Sequence, residues 1–288
     1  MKRILFIAFF IAMFVTPIAL ILFVFDYGYK KSPQEYSLSF IKQLPNTVNL
    51  SSLTYNKEDD FLYATQNSPA QLLKIARSGD IIGRAPLPFI SDAETIEHIQ
   101  GNIFAAVDEK TSELFFFTVT KDMHISLRNK IQLEKFNKKN RGFEGLAWKA
   151  EGRMLFVAKE RRPTGMFAYQ LSPDLLSAKQ VTIPEELNDI HVKDISGLDF
   201  NNESLMILSD ESRKLLKFNL TEMSFVEMMD LTKGNHSLTS DLLQPEGIVT
   251  LSDESIYVAS EPDILAKLSL INKSVTSLSI ERPNLAIS

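Results

Sequence analysis

Beyond residue 45 the chain is written in short apolar runs, each closed by a polar turn every eight to twelve residues. Five segments repeat one pattern, a small or acidic residue, a small residue, then apolar positions: "SSLTY" from Ser51, "ETIEH" from Glu94, "EGLAW" from Glu144, "SGLDF" from Ser196 and "EGIVT" from Glu246. Their starts lie 43, 50, 52 and 50 residues apart. After a turn such as "KAEG" or "NNES", each is followed by a second apolar run: "FLYATQN", "IFAAVDE", "MLFVAKE", "LMILSDE" and "IYVASE". A third run alternates as a strand does ("QLLKIAR", "ELFFFTV", "GMFAYQL", "KLLKFNL", "AKLSLI"), and a fourth is more polar ("HISLRNKIQL", "SAKQVTI", "VEMMDL", "VTSLSI"). Four short strands per repeat is the unit of a β-propeller.

Helical repeats would place apolar residues at i, i+3, i+4 and i+7, whereas these runs are short and β-branched or aromatic. A β-sandwich would not account for a four-strand period. The sequence therefore predicts an all-β fold, a β-propeller of four-stranded blades. Five repeats of about 48 residues occupy residues 45–283, with a six-bladed ring as the alternative count. Residues 32–40 read as a short tether running into an edge strand. That strand, "YSLSFIKQLP", has the character of a fourth strand that pairs with the last blade and closes the ring, which removes an exposed sheet edge.

The residue before the first strand of each repeat is Ser51, Glu94, Glu144, Ser196 or Glu246, and the residue closing the second strand is Asn67, Glu109, Glu160, Glu211 or Glu261. The two columns are offset by 15 or 16 residues. Two short antiparallel strands and a turn consume that length, so both columns fall at one end of the hairpin. Because the first strand of a blade lines the channel, one rim near the axis collects these residues, seven of them glutamates. The simplest reading is that each carboxylate caps backbone N–H groups of a neighbouring blade. Against it stands their number, since like charges converging on a narrow channel raise their own pKa values unless a cation intervenes. Hard cations such as Ca²⁺ take six to eight oxygen ligands, whereas zinc prefers histidine or cysteine. Glu94, Glu144, Glu246, Glu109, Glu160, Glu211 and Glu261 are the candidate ligands of a divalent cation, calcium first.

Residues 4–25, "ILFIAFFIAMFVTPIALILFVF", carry no charge. As a helix rising about 1.5 Å per residue they span roughly 33 Å, enough to cross a bilayer core. A cleaved signal peptide is the competing reading, with Met1, Lys2 and Arg3 as its basic start. Its apolar core would be shorter, and "DYGYKKSPQ" offers no small-residue cleavage site. The preferred reading is an N-terminal transmembrane helix within an anchor and flank over residues 1–31, followed by an exported propeller domain over residues 32–288. Lys2 and Arg3 are balanced by Lys30 and Lys31 across the span, and the basic start favours an N-terminus in the cytoplasm.

Beyond residue 31 the chain keeps 27 of its 31 basic residues and 35 of its 36 acidic ones. An exported domain about eight charges negative argues against nucleic acid as a partner, which demands basic patches. Cysteine is absent, which removes disulfides, thiolate nucleophiles and zinc–thiolate sites. Hydrolase and nucleotide-binding signatures are missing as well. Of the four histidines only His98 lies close to an acidic rim position, and a lone strand histidine reads as a packing residue. Trp148 ends a first strand and reads as core. In "KERRP", Lys159, Arg161 and Arg162 beside Glu160 read as a solvated loop with local ion pairs, with an anion-receiving site as the rival.

Taken in order, "NLSSLTYN", "FEGLAWK", "LFVAKE", "DISGLDF", "LSDESRKLLKF", "QPEGIVT" and "IYVASEP" resemble the SdiA-regulated family, the YjiK-like proteins of Gram-negative bacteria, over residues 36 to about 270. The resemblance implies a single-pass protein of the inner (plasma) membrane with a periplasmic β-propeller, distantly similar to phytase, gluconolactonase and strictosidine-synthase propellers that hold calcium near the channel. It adds Asp194 to the candidate metal ligands, in register with Glu144, Ser196 and Glu246. Two positions depart from the pattern, Thr95 and Ser52 standing where glycine is expected. The expected function is binding of calcium, and of a small molecule or envelope protein, at the acidic rim. The alternative is a calcium-dependent hydrolase of an ester, lactone or phosphoester, with a rim glutamate as general base.

Overall fold

The computed structural model describes residues 28–133, 142–161 and 164–271. Their strands form five antiparallel sheets of four strands each. The first blade holds β2 (Leu50–Asn56), β3 (Phe61–Gln66), β4 (Gln71–Ala76) and β5 (Ile81–Pro86). The second holds β6 (Glu97–Gln100), β7 (Ile103–Asp108), β8 (Glu113–Val119) and β9 (Ile125–Gln132), and the third β10 (Phe143–Lys149), β11 (Met154–Lys159), β12 (Gly165–Leu171) and β13 (Ala178–Val181). The fourth holds β14 (Gly197–Asn201), β15 (Ser204–Ser209), β16 (Lys214–Asn219) and β17 (Ser224–Asp230). The fifth is made of β18 (Pro245–Thr250), β19 (Ile256–Ser260), β20 (Ile264–Leu270) and, from the other end of the chain, β1 (Tyr36–Gln43). The fold is a five-bladed propeller, and the six-bladed count is set aside.

Closure follows the expectation for "YSLSFIKQLP": β1 pairs antiparallel with β20 from Tyr36–Leu270 to Gln43–Ile264. The predicted fourth strand "VTSLSI" lies outside the described residues, and its place is taken by β1. The apolar run 4–25 also lies outside them, and among the described residues no helix is long and apolar enough to cross a membrane. The end of the expected flank and the start of the expected tether, residues 29–32, are bound to the propeller. Ser32 N–H donates to Glu227 O at 2.8 Å and Glu227 N–H to Lys30 O at 2.9 Å, while the Tyr29 ring packs on Phe225 with centroids 5.4 Å apart. This segment is strapped along the outer strand of the fourth blade before β1 joins the fifth.

The core is divided into five wedges, each between two successive blades. Strand β7 shows why the second strands are apolar without alternation. Phe104 and Ala106 pack toward the first blade and Ile103, Ala105 and Val107 toward the third, so both faces are buried. Burial on two faces turns a period-two pattern into a continuous apolar run.

The inner strands approach one another closely. A Cβ on Gly247 would sit 2.6 Å from the Ser52 carbonyl carbon, and one on Gly197 3.0 Å from Glu246 O. The "E-G" and "S-G" pairs therefore owe their glycine to backbone crowding at the axis. Where serine and threonine stand instead, the hydroxyls bind backbone: Ile96 N–H donates to Ser52 Oγ at 3.1 Å and Val107 N–H to Thr95 Oγ1 at 2.7 Å.

Candidate functional site

Each first strand begins with the same irregularity. Register slips by one residue between Leu50 and Ser52, Phe143 and Gly145, and Pro245 and Gly247, leaving Ser51, Glu144 and Glu246 as the extra residues. In the second blade Ala93 pairs with Asp108 but Glu97 with Ala105, a slip that spans Glu94. In the fourth, Ser196 N–H donates to Leu208 O at 3.0 Å while Gly197 is the residue paired with Leu208. A β-bulge re-aims a side chain and ends regular pairing. The repeated acid at the strand mouth is thus a bulge residue.

The second column is fixed by backbone bonds to the same loops. Asn67 N–H donates to Asn49 O at 2.9 Å, Glu109 N–H to Asp92 O at 3.2 Å, Glu160 N–H to Gly142 O at 3.3 Å and Glu261 N–H to Gln244 O at 2.9 Å. In the fourth blade Glu211 N–H bonds instead to Asp194 Oδ1 at 3.1 Å. In every blade the acceptor stands two residues before the bulge, so both columns share one rim, as their spacing predicts.

At this rim the carboxyl groups act on one another. Burial, then Glu246, Glu94 and Glu109, push the Glu144 carboxyl up to about 10, opposed by Arg161. Burial, then Asp210, Glu261, Glu94 and Asp194, push Glu246 up to about 9. Glu94 is raised by burial, Asp92 and Glu109, and Glu109 by burial and Asp92. Burial also raises Asp194, and burial with Asp210 raises Glu261. Residues from the second, third and fifth blades therefore meet at one mouth.

One subset has the geometry of a cation site: single carboxylate oxygens of Asp92, Glu94 and Glu109 lie within 4.8 Å of one another. Asn67 Nδ2 donates to Glu94 Oε1 at 2.6 Å and to Asp92, oriented by the Ser68 N–H that its own Oδ1 accepts at 2.8 Å. Lys110 Nζ lies 2.8 Å from Asp92 Oδ2 but is itself mostly exposed. Among the described residues one lysine charge thus faces three acids. Glu109 sits against Gly142, where a Cβ would fall 1.9 Å from its Cγ. The glycine of "NRGFEG" keeps that space open.

The remaining predicted residues divide. Glu160 and Glu211 are bridged by Arg161, which contacts Glu160 and lies 2.9 Å from Glu211. Arg161 is thus a partly exposed residue with local ion pairs, as the loop reading expects, and it also reaches Glu211 of the next blade; Arg162 lies outside the described residues. Asp194 is buried, and its Oδ1 accepts from Ser209 Oγ at 2.5 Å as well as from Glu211 N–H, a cap within its own blade rather than on the neighbouring blade of the simplest reading. His98 is not at the rim: its ring lies on Phe104 with centroids 5.1 Å apart, and its Nε2 is 2.9 Å from Gly101 O in a turn at the opposite end. Sequence reasoning missed Asp92, Asp210 and the reach of Arg161 to Glu211. For Asp92 a signal existed, since it precedes Glu94 by two residues as Asp194 precedes Ser196.

Residues 30–269 match the family described as SdiA-regulated. The chain belongs to the SdiA-regulated family. Among solved structures, this SdiA-regulated propeller is similar to the glutaminyl cyclase of Myxococcus xanthus, with a TM-score of 0.56 and 13% identity over 83% of this chain and 98% of that one. It is also similar to a Bacteroides thetaiotaomicron protein described as of unknown function, with a TM-score of 0.51 and 8% identity over 83% of this chain and 76% of that one. At such identities the likeness concerns the fold alone.

Proposed function

We propose that the acidic mouth binds a divalent cation, calcium by the hardness of its all-oxygen donor set, and that the loaded mouth receives a small molecule or an envelope protein. The supporting observation is the Asp92, Glu94 and Glu109 cluster, whose oxygens lie within 4.8 Å of one another beside two further acids held protonated by burial and like charge. A cation removes that repulsion and lets the carboxyls ionise. In this reading residues 4–25 anchor the protein in the inner membrane with the propeller in the periplasm.

Titration calorimetry of chelator-treated protein with calcium tests it. Saturable binding that weakens at least tenfold in Glu94→Gln and Glu109→Gln is expected. No binding heat together with an unchanged Tm in calcium and in chelator overturns it. Calcium-dependent hydrolysis of an ester, lactone or phosphoester is the second reading, favoured by the buried Glu144 at the mouth, which once ionised beside the cation is able to act as general base toward an attacking water. Turnover of such substrates that requires calcium and is abolished in Glu144→Gln distinguishes it from binding alone. For the anchor, removal of residues 1–27 is expected to release the protein from the membrane fraction without detergent.

A further inference from the structure

The opposite mouth of the channel holds a cavity of about 730 Å³ that none of the rim residues line. It is built from the ends of the first strands and the turns that follow them, so it is separated from the acidic rim by the length of those strands. Two buried carboxyl groups stand in its wall, three residues beyond the bulge position of their blades: Glu97 on β6 and Asp199 on β14. Both are more than nine-tenths buried, at 9% and 8% exposure.

Their hydrogen-bond partners are neutral, while the other charged residues of the lining, Lys57, Glu58 and Arg153, are exposed. Thr54 Oγ1 donates to Glu97 Oε1 at 3.2 Å, and Thr250 N–H donates to Asp199 Oδ2 at 2.7 Å. Among the described residues neither acid forms an ion pair. Burial and Asp199 raise the Glu97 carboxyl well above its usual range, and burial raises Asp199 to about 6. In the same wall stands Trp148, whose Nε1–H is buried and has no hydrogen-bond partner among the described residues. Phe200, Leu175 and Leu251 supply apolar surface.

We propose that this second mouth binds a small organic cation, an amine or guanidinium on an apolar body, with Glu97 and Asp199 receiving the charged group and the Trp148 side receiving the body. The volume falls in the range of small-molecule pockets, roughly 300–1,000 Å³, and is far larger than a bare ion requires. A hard divalent ion would ask for six to eight oxygens, whereas the buried part of this wall offers two carboxyls, one oxygen of each already engaged. An ammonium or guanidinium needs only a few acceptors, and its charge relieves the repulsion between the two acids. The inference does not rest on the rim cation.

Trp148 is the chain's single tryptophan, so its emission reports on this cavity and not on the rim. Full-length protein in chelator is titrated with 2-phenylethylamine and with agmatine, and with 2-phenylethanol as the uncharged counterpart. A saturable change in Trp148 emission with at least one amine, with a Kd below about 1 mM, and at least tenfold weaker response to the alcohol, is expected. Asp199→Asn is expected to weaken amine binding tenfold or more. Equal responses to amine and alcohol, no saturation by either amine, or wild-type affinity in a folded Asp199→Asn protein would overturn the proposal. Where Asp199→Asn loses its cooperative melt, Glu97→Gln is judged by the same criterion, and the amine-to-alcohol contrast on wild-type protein decides if both fail to fold.

Discussion

Glutamine in place of Glu144 is close in shape to the protonated glutamate but has no proton to lose. In the folded protein burial and the facing acids hold the Glu144 carboxyl up to about 10, against its ordinary value of 4.5. The fold binds this proton more tightly than the unfolded chain does. The stabilisation is therefore complete below the unfolded value and is lost progressively as pH rises toward the folded one. Each pH unit in that window costs the wild type about 1.4 kcal/mol, so between pH 6 and pH 8 the loss is roughly 3 kcal/mol. Glu144→Gln escapes that loss, so its stability relative to wild type should improve by the same amount over the same interval. The increment depends on the folded value lying above 8, not on its exact position. For a domain of this size it corresponds to a relative Tm gain of roughly 5–10 °C. Urea unfolding of both proteins at pH 6, 7 and 8, in chelator and at fixed ionic strength, measures it. A stability difference that stays constant across the three pH values would mean that Glu144 ionises as a solvated carboxyl does, and the argument from converging charge would fail.

Calcium binding at pH 7 should release at least one proton, because Glu144 and Glu246 are protonated before the cation arrives. Binding heats that do not vary among buffers of different ionisation enthalpy would contradict this. Arg161→Gln leaves buried Glu160 and its neighbour Glu211 without their shared cation. Since Arg161 is partly exposed, a loss of about 2 kcal/mol by urea unfolding is expected rather than the larger cost of a fully buried pair. A value within 0.5 kcal/mol of wild type, as an order of magnitude for surface changes, speaks against the bridge. Gly247→Ala forces a Cβ to 2.6 Å from the backbone of Ser52, which should cost about 3 kcal/mol or more and lower Tm accordingly. A wild-type melting temperature in that variant would show that the inner strands can separate freely.

Much of the architecture is local information. The length of each apolar run, the turn residues between runs and the double-sided burial that erases alternation are written at every blade, so strand number, blade period and even the closing role of "YSLSFIKQLP" are readable. The offset between Glu144 and Glu160, and between Glu246 and Glu261, likewise places both columns at one end because strand rise is nearly constant. The strap formed by residues 29–32 was not readable, since "YKKS" resembles a solvated linker and its partner strand lies almost two hundred residues away.

The sequence by itself determined a ring of repeating sheets and a rim rich in acid. Only the tertiary structure decided which acids act on one another. Asp92 joins Glu94 and Glu109 through loop geometry, Arg161 serves two glutamates, and Glu97 and Asp199 face one cavity from the second and fourth blades. Electrostatic and recognition energies depend on separation through space and on exclusion of water. Both are set when the ring closes, and neither is encoded in the spacing of residues along the chain.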